Sequence, residues 1–486
     1  MNTIQADVLI IGGGSAGMSA FRAARKATDN VFVVEDYHFG TTCARVGCMP
    51  SKLLIAAAEA AYQPKHTAQF GVHVDGEVRV NGTEVMARVR SERDRFVGFV
   101  LEDVEAWPAD KRIMGRATFQ DAHTVLVSNQ AGEQTQITAQ RIVIATGSRP
   151  TLLPEWQALG DHLIINDDIF AWETLPKSVA VFGTGVIGLE LGQALTRLGV
   201  KVKLFGRGNR IGGISDPSVS AQAVSIFQQE LDVHLDTKTS VRLNDAGQVE
   251  VSYERQGEQG VFEAEYLLAA IGRKPNTDNI GLENLPELKL DKRGVPVADR
   301  HTMQTSIPHL FIAGDASNQL PLLHEASDQG VIAGKNAGTY PEIDRGLRRS
   351  AIGVIFSDPQ IMSVGHRWIE LADLYPDCGC FAEGEVSFHN QGRSRVMGVN
   401  RGMLRVYAEQ GSGRFLGAEM IGPAAEHIAH LLAWAHQQKM TVAEMLDMPF
   451  YHPVIEEGVR TALRAVNAKL KLTADLEAEC AACPGM

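Results

Sequence analysis

Apolar positions along this chain fall into two kinds of run. Short unbroken runs bounded by glycine read as strands buried on both faces, and longer stretches with a three-to-four-residue apolar rhythm read as helices. Residues 6–11 form such a strand and end in Gly12-Gly13-Gly14; a helical stretch at 16–27 and a second apolar run at 31–34 follow. The same order returns later: a strand at 178–182, then Gly183-x-Gly185-x-x-Gly188, a helix at 187–198 and a strand at 200–205. Further buried strands are predicted at 141–147, where Pro150 closes the turn, at 266–271 before Gly272-Arg273-Lys274-Pro275, and at 309–315. From about Arg348 the pattern changes to alternating strands such as 403–407, with helices near 424–438 and 454–469. That change predicts a separate α+β unit, and 472–486 reads as a mobile tail.

The repeated glycines give the repeat a chemistry. In Gly12-x-Gly14-x-x-Gly17 the first permits a tight turn, the second lets the backbone approach a pyrophosphate, and the third lets helix and strand pack closely. The pyrophosphate then rests on a helix N-terminus, whose free N–H groups and dipole favour anions. One such motif is weak evidence; two in the right context predict two dinucleotide sites. Glu35, 18 residues after Gly17, stands where an acid can bind both ribose hydroxyls of an adenosine. In the second repeat Gly206 has that offset, with Arg207 and Arg210 close behind. Losing the acid removes a repulsion against a 2′-phosphate, and a guanidinium can pair with one, so NADH and NADPH both stay open.

Cys43 and Cys48 follow the first glycine loop by less than one βαβ unit. Residues five apart on a regular helix are too distant for a disulfide, so the segment must be distorted, with Gly47 and Pro50 as the means. Lys52 and a helix N-terminus would lower a thiolate pKa. A metal site or inert buried thiols are the alternatives, but only His38 is near enough to add a ligand. A redox pair beside a dinucleotide is favoured. Near the other end, Pro453 suits a first helical position and leaves His452 at the helix mouth, where a carboxylate one turn on could orient the imidazole.

Composition narrows the classes. The chain has 486 residues, enough for two or three domains, with 44% hydrophobic and 21% charged residues, as in soluble globular proteins. A formal charge of -12 argues against a nucleic-acid binder. The N-terminus lacks a basic n-region and no apolar stretch is long enough to span a bilayer, so a cytoplasmic protein is expected. Structural disulfides are rare there. The six cysteines fall into three pairs, Cys43/Cys48, Cys378/Cys380 and Cys480/Cys483.

Taken together, the chain resembles the class I pyridine nucleotide–disulfide oxidoreductases, and among them the lipoamide dehydrogenases. The likeness covers roughly residues 6–470 and rests on both glycine loops, Cys-x4-Cys-x-Pro-Ser-Lys, Ala145-Thr146-Gly147, Gly183 to Glu190, and Gly272-Arg273-Lys274-Pro275-Asn276. Ala313-Gly314-Asp315, Phe356-Ser357-Asp358-Pro359, and His452-Pro453 with Glu457 complete it. The resemblance implies an α/β protein: two Rossmann-like FAD- and NAD(P)-binding domains plus a C-terminal α+β dimerisation domain. The FAD domain would span 1–155 and 275–347, the NAD(P) domain 156–274, the interface domain 348–470, and a tail with a cysteine pair 471–486.

The same resemblance assigns roles. FAD would meet Gly12, Gly14, Ser15, Gly17, Glu35, Thr42, Lys52, Ala117, Thr146, Gly147, Asp315 (at the ribityl chain) and His324. NAD(H) or NADP(H) would meet Gly183, Gly185, Val186, Ile187, Gly188, Arg207, Arg210 and Gly272, with Val186 where the nicotinamide enters. Cys48 would touch the flavin, Cys43 would exchange with substrate, and Lys52 would pair with Glu190. His452, oriented by Glu457, would be the base, reaching across a homodimer from the partner subunit. No metal is implied. The implied substrate is dihydrolipoamide on the lipoyl domain of a 2-oxo acid dehydrogenase complex; the runner-up is an NADPH-driven reductase of glutathione-, thioredoxin- or mercuric-type substrates. A non-catalytic redox-sensing subunit would have no need of Cys43, Cys48, Lys52, His452 and Glu457 together. Three positions depart from the family pattern: Thr41 in Gly40-Thr41-Thr42-Cys43, Arg45 between the cysteines, and Gly206. Cys480 and Cys483 could relay electrons onward, or could be a dispensable tail; Cys378 and Cys380 are given no catalytic role.

Overall fold

The computed structural model describes residues 2–255, 257–376 and 379–471. The first repeat folds as β1 (Asn2–Ile11), α1 (Ser15–Ala24) and β2 (Val31–Glu35). Two helices, α2 (Thr42–Val46) and α3 (Cys48–Tyr62), follow almost without interruption, and the long α4 (Gly82–Glu105) packs on both. Next come β3 (Arg112–Met114), β4 (Arg116–Phe119), β5 (Thr124–Ser128), β6 (Gln134–Ile144) and β7 (Ser148–Pro150). The second repeat opens with β8 (Leu163–Ile164) and α5 (Asn166–Ile169), and its core is β9 (Ser178–Phe182), α6 (Val186–Arg197) and β10 (Lys201–Phe205). It continues with α7 (Pro217–Phe227), β11 (Val233–His234), β12 (Lys238–Leu243), β13 (Val249–Arg255), β14 (Glu258–Ala264), β15 (Tyr266–Ala269) and β16 (Arg273–Pro275). The chain then returns through β17 (Leu310–Ile312) and α8 (Leu323–Thr339).

The sheet of the second glycine repeat is wholly parallel, and that of the first is mixed, with β3, β2, β1, β6 and β17 parallel and β4 and β5 joined antiparallel. The first has the order β3-β2-β1-β6-β5-β4 with β17 beside β6, the second β11-β10-β9-β15-β8. Val8, Leu9 and Ile10, and likewise Val179, Ala180 and Val181, are fully buried, as strands covered on both faces require. The antiparallel sheet β12-β13-β14 sits beside the second repeat and had no counterpart in the sequence reading.

The C-terminal unit comprises β18 (Ile352–Ile355), β19 (Gln360–Gly365), α9 (Trp368–Leu374), β20 (Phe381–Ser387), α10 (Gly392–Val396), β21 (Met403–Glu409), β22 (Phe415–Gly422), α11 (Ala425–Gln437), α12 (Val442–Leu446) and α13 (Glu457–Asn467). Its sheet is antiparallel, β18-β19-β22-β21-β20, which is the α+β unit expected from Arg348 onward. One expectation fails here. Pro453 does not open the last helix, which begins at Glu457. The Glu457 carboxylate accepts the Val454 N–H, so residues 452–456 form a turn ahead of the helix rather than its first turn.

A buried polar cluster joins this unit to the second repeat. Glu419 on β22 accepts hydrogen bonds from the Ser215 and Asp216 N–H groups, the Ser215 hydroxyl and the Trp368 N–H. Tyr407 donates to Asp216 at 3.1 Å, and Arg405 pairs with the same carboxylate at 3.2 Å. The charges of Glu419, Asp216 and Arg405 are therefore met within the cluster, which is the condition for tolerating them there. No helix of the described residues is long and apolar enough to cross a membrane.

Candidate redox site

Register places the first cradle. Ile144 on β6 is paired with Ile11 on β1 and with Ile312 on β17, so the loops leaving these three strands emerge side by side. In the first loop a Cβ on Gly12 would lie 2.2 Å from the Ala145 carbonyl oxygen, and one on Gly17 1.8 Å from that of Gly12. Neither position admits a side chain. Gly14, by contrast, has only the Gly40 oxygen at 3.9 Å, and as N-cap of α1 it offers no side-chain acceptor to the first-turn N–H groups. That open floor with free amides fits a pyrophosphate. Glu35 lies against the loop, accepting the Gly13 N–H at 2.7 Å and the Tyr37 N–H at 3.0 Å.

The other expected flavin contacts gather with it unevenly. Asp315 accepts the Ser148 hydroxyl at 2.7 Å, and Arg273 holds Ser148 through both its Oγ and its carbonyl oxygen. Thr146 donates to the Asn276 carbonyl oxygen, and Gly147 sits at φ 71. Ser15 opens α1, Thr42 opens α2, Ala117 is buried on β4, and His324 is exposed in the first turn of α8.

The second cradle repeats the first. A Cβ on Gly183 would lie 2.1 Å from the Ala270 oxygen and one on Gly188 1.9 Å from the Gly183 oxygen, while Gly185 faces open space. Val186 and Ile187 open α6, Val186 being half exposed, and Gly272 stands exposed at the mouth. A Cβ on Gly206 would come within 3.0 Å of Leu235 and 3.1 Å of Thr184, a tight fit in which these side chains would have to give by a few tenths of an ångström. Arg207 and Arg210 are exposed and have no ion-pair partner among the described residues.

Between the two cradles lies the dithiol. Thr41 caps α2 by accepting the Ala44 N–H, which gives this departure from the family pattern a local purpose, and Arg45 reaches back toward the Phe39 carbonyl oxygen. Gly47 then breaks the helix with φ -129 and ψ -116, and α3 starts afresh at Cys48 with Pro50 in its first turn. The distortion expected from the spacing is therefore observed, and at Gly47. Both thiols are free, and they share a hydrogen bond. Cys43 donates it, which, with burial, pushes the Cys43 thiol well up. The same bond pulls Cys48 down to about 7 against the cost of burial, with help from the Lys52 charge. Lys52 Nζ is 2.7 Å from Glu190 Oε2, and Glu190 is buried on α6, one turn past Val186.

The approach at Gly47 is close enough to test. A Cβ there would lie 3.1 Å from the Thr42 oxygen and 3.2 Å from Cys43 Cα. We expect Gly47→Val to push α2 away from α3 and cut disulfide turnover by about 10²-fold, as for a misplacement of order 1 Å, while FAD content is kept. Flavin absorbance and steady-state turnover of the purified protein check both parts.

His452 and Glu457 form the last constellation. His452 Nδ1 is 3.0 Å from Glu457 Oε2, and the imidazole holds the carboxyl below its usual range. His452 is 79% exposed and makes no hydrogen bond to either thiol of its own chain.

A pyridine nucleotide-disulphide oxidoreductase pattern matches residues 6–330, and the dimerisation domain of the same group matches 352–463. The chain belongs to this family. The oxidoreductase is 30% identical over 458 residues to the dihydrolipoyl dehydrogenase of Geobacillus stearothermophilus, covering 93% of this chain and 94% of that one. It is 29% identical over 467 residues to the mercuric reductase of Shigella flexneri, covering 96% and 81%. The fold is that of LpdA from Mycobacterium tuberculosis, with a TM-score of 0.79 and 22% identity over 96% of this chain and 99% of that one. Family members bind FAD and NAD(P), and this protein is a flavoprotein disulfide oxidoreductase.

Two contributors to the oxidoreductase's site were missed from sequence. Ser148 stands between Arg273 and Asp315, and Phe356 donates its N–H to Glu190 at 2.9 Å while its ring faces Lys52. Phe356 lay within a motif already noted, but nothing local to it points at Lys52. Cys380 is buried and disulfide-bonded; Cys378, Cys480 and Cys483, and with them the proposed tail relay, lie outside the described residues.

Proposed function

We propose that this oxidoreductase is a dihydrolipoyl dehydrogenase, passing electrons from dihydrolipoamide through Cys43–Cys48 and FAD to NAD(P)⁺. The observation that carries the reading is the placement of Cys43 and Cys48 between the two cradles, with the Lys52–Glu190 pair beside them, in a chain 30% identical to a dihydrolipoyl dehydrogenase; the Cys48 thiol, lowered to about 7 beside a raised Cys43, fits the exchange. In disulfide exchange the sulfur with the lower pKa is the better leaving group. A substrate thiol gives its proton to His452, and its sulfur attacks Cys43, breaking the Cys43–Cys48 bond. Cys48 leaves as the thiolate beside Lys52. The second substrate thiol then closes the substrate disulfide, its proton passing to Cys43 as that sulfur leaves, while the first proton stays on the His452 imidazolium until solvent takes it. The substrate has lost two electrons and the dithiol has gained them. FAD, when bound, supplies the two-electron link from this dithiol to NAD(P)⁺. Glycines 12, 14 and 17, Glu35 and Asp315 would hold it, with the Lys52–Glu190 pair beside the dithiol it would serve. The exposed His452–Glu457 pair acts on the dithiol of a second copy, which the dimerisation domain supports.

The test is anaerobic oxidation of dihydrolipoamide with NAD⁺ and NADP⁺ in parallel, with NAD(P)H-driven reduction of glutathione disulfide beside it. Fast dihydrolipoamide turnover is expected. Flavin bleaching by a nicotinamide without lipoamide turnover would reject the substrate. Lipoyl domains of 2-oxo acid dehydrogenase complexes are the proposed partner.

A second reading, an NADPH-driven reductase, is favoured by one observation. Gly206 stands where the acid of an NAD-binding site would be, and Arg207 and Arg210 beside it are exposed. If Arg207 meets a 2′-phosphate, Arg207→Ala will raise the KM for NADPH about tenfold, the worth of one charge-assisted hydrogen bond, and leave that for NADH unchanged. Equal KM changes for both nucleotides would reject that role.

A further inference from the structure

Glu190 is held from two sides. Its Oε2 takes Lys52, on the helix that carries Cys48, and its Oε1 takes the backbone N–H of Phe356, the first residue past β18 in the C-terminal unit. The Phe356 ring adds a second contact, lying 4.6 Å from Lys52 Nζ. That is cation–π distance. The segment that carries Phe356 is itself fixed along α6: Gln193 exchanges two hydrogen bonds of 2.8 Å with the backbone of Asp358, and Arg197 pairs with the Asp358 carboxylate at 2.9 Å. Glu190, Gln193 and Arg197 fall about one turn apart, so the ring is set against one face of α6.

The charged and titratable groups acting on Cys48 are Cys43, Lys52 and Glu190. Cys43 and Lys52 favour the thiolate, whereas Glu190 opposes it. The two ion-pair partners are not equally restrained. Glu190 is buried and stays anchored by a backbone N–H that no side-chain substitution removes. Lys52 is a third exposed, and its ammonium has solvent to turn toward. Without the ring Lys52 loses one restraint and is held mainly by Glu190, with solvent on its open side.

We propose that Phe356 is a positioning residue of the redox site: through its ring the C-terminal unit holds Lys52 where it stabilises the Cys48 thiolate. This deepens the reading of Cys48 given above but needs no particular substrate. The dimerisation domain thereby sets the poise of a dithiol that lies entirely in the nucleotide-binding part of the chain.

The test uses FAD-loaded protein in a Cys43→Ser background, where the hydroxyl still donates to Cys48 and only one thiol of the pair reacts. The alkylation rate of Cys48 by iodoacetamide, located by peptide mass, is measured against pH with Phe356 intact and with Phe356→Leu, Phe356→Met and Phe356→Tyr. Flavin content and melting temperature report folding. Leu and Met are expected to move the midpoint up by about 0.5–1 pH unit, so that Cys48 reacts about three to ten times more slowly at pH 6. Tyr, which keeps the ring, is expected to restore the parent profile. A merely structural role would lower the melting temperature without moving the midpoint. A folded, FAD-loaded Leu or Met variant that superimposes on the parent overturns the proposal, as does a Tyr variant that fails to restore it. Should Leu not fold, Met, which keeps volume without a ring, decides alone. Lipoamide is absent from the measurement, so failure of the substrate reading leaves its outcome intact.

Discussion

Replacing Cys48 by serine will leave a folded, yellow protein that accepts electrons from a nicotinamide and delivers none to a disulfide. The substitution removes the sulfur whose pKa is brought to about 7 and leaves Cys43, whose thiol is pushed well up, without an exchange partner. Loss of a nucleophile that works as one unit with its neighbours costs on the order of 10⁴-fold in turnover. Flavin content and bleaching by NAD(P)H should be kept, because neither glycine cradle uses Cys48. Measuring flavin bleaching and disulfide turnover on one preparation separates the two halves of the chemistry; substantial disulfide turnover by the serine variant would reject the pair. The wild type carries a matching pH signature. A lowered thiol pKa means that the thiolate is favoured above about 7 and lost as pH falls through it. Alkylation of the reduced enzyme should therefore rise through that region, falling about tenfold per unit at lower pH.

His452→Gln is expected to slow dihydrolipoamide oxidation by about 10²- to 10⁴-fold, the usual worth of a positioned general base. Nicotinamide-driven flavin bleaching should again be unchanged, since His452 touches neither cradle nor the dithiol of its own chain. Glu457→Gln should act in the same direction but more weakly, because it removes the carboxylate that orients Nδ1 while the imidazole remains. The stronger experiment mixes two inactive proteins. If each site takes its cysteines from one subunit and its histidine from the other, dissociating and reassociating Cys48→Ser with His452→Gln chains will restore activity. Mixed dimers without activity would place the base within one chain or elsewhere.

How much of this was legible beforehand can be read from particular residues. Both cradles were visible in the sequence because their requirements are local: a side chain on Gly12, Gly17, Gly183 or Gly188 would strike backbone in a turn built from the same few residues or the neighbouring strand. The break between the cysteines was equally legible, since a spacing of five on a regular helix cannot bring two thiols together and Gly47 was there to bend. The missing acid at Gly206 was visible, but not that Leu235 and Thr184 crowd that position. The start of the last helix was misread because Pro453 is a strong local signal, whereas the observed start depends on where the Glu457 carboxylate goes.

By itself, then, the sequence determined the two nucleotide cradles, the dithiol between them and the division into parallel and antiparallel units. Each of these follows from steric limits or periodicity acting over about a dozen residues. Tertiary structure decided which charges meet. Lys52 and Glu190 are separated by 138 positions, and Glu190 and Phe356 by 166. No local rhythm encodes such pairings; they arise where α3, α6 and the end of β18 are driven together by apolar faces, and only there does a lysine become the cation beside a thiolate.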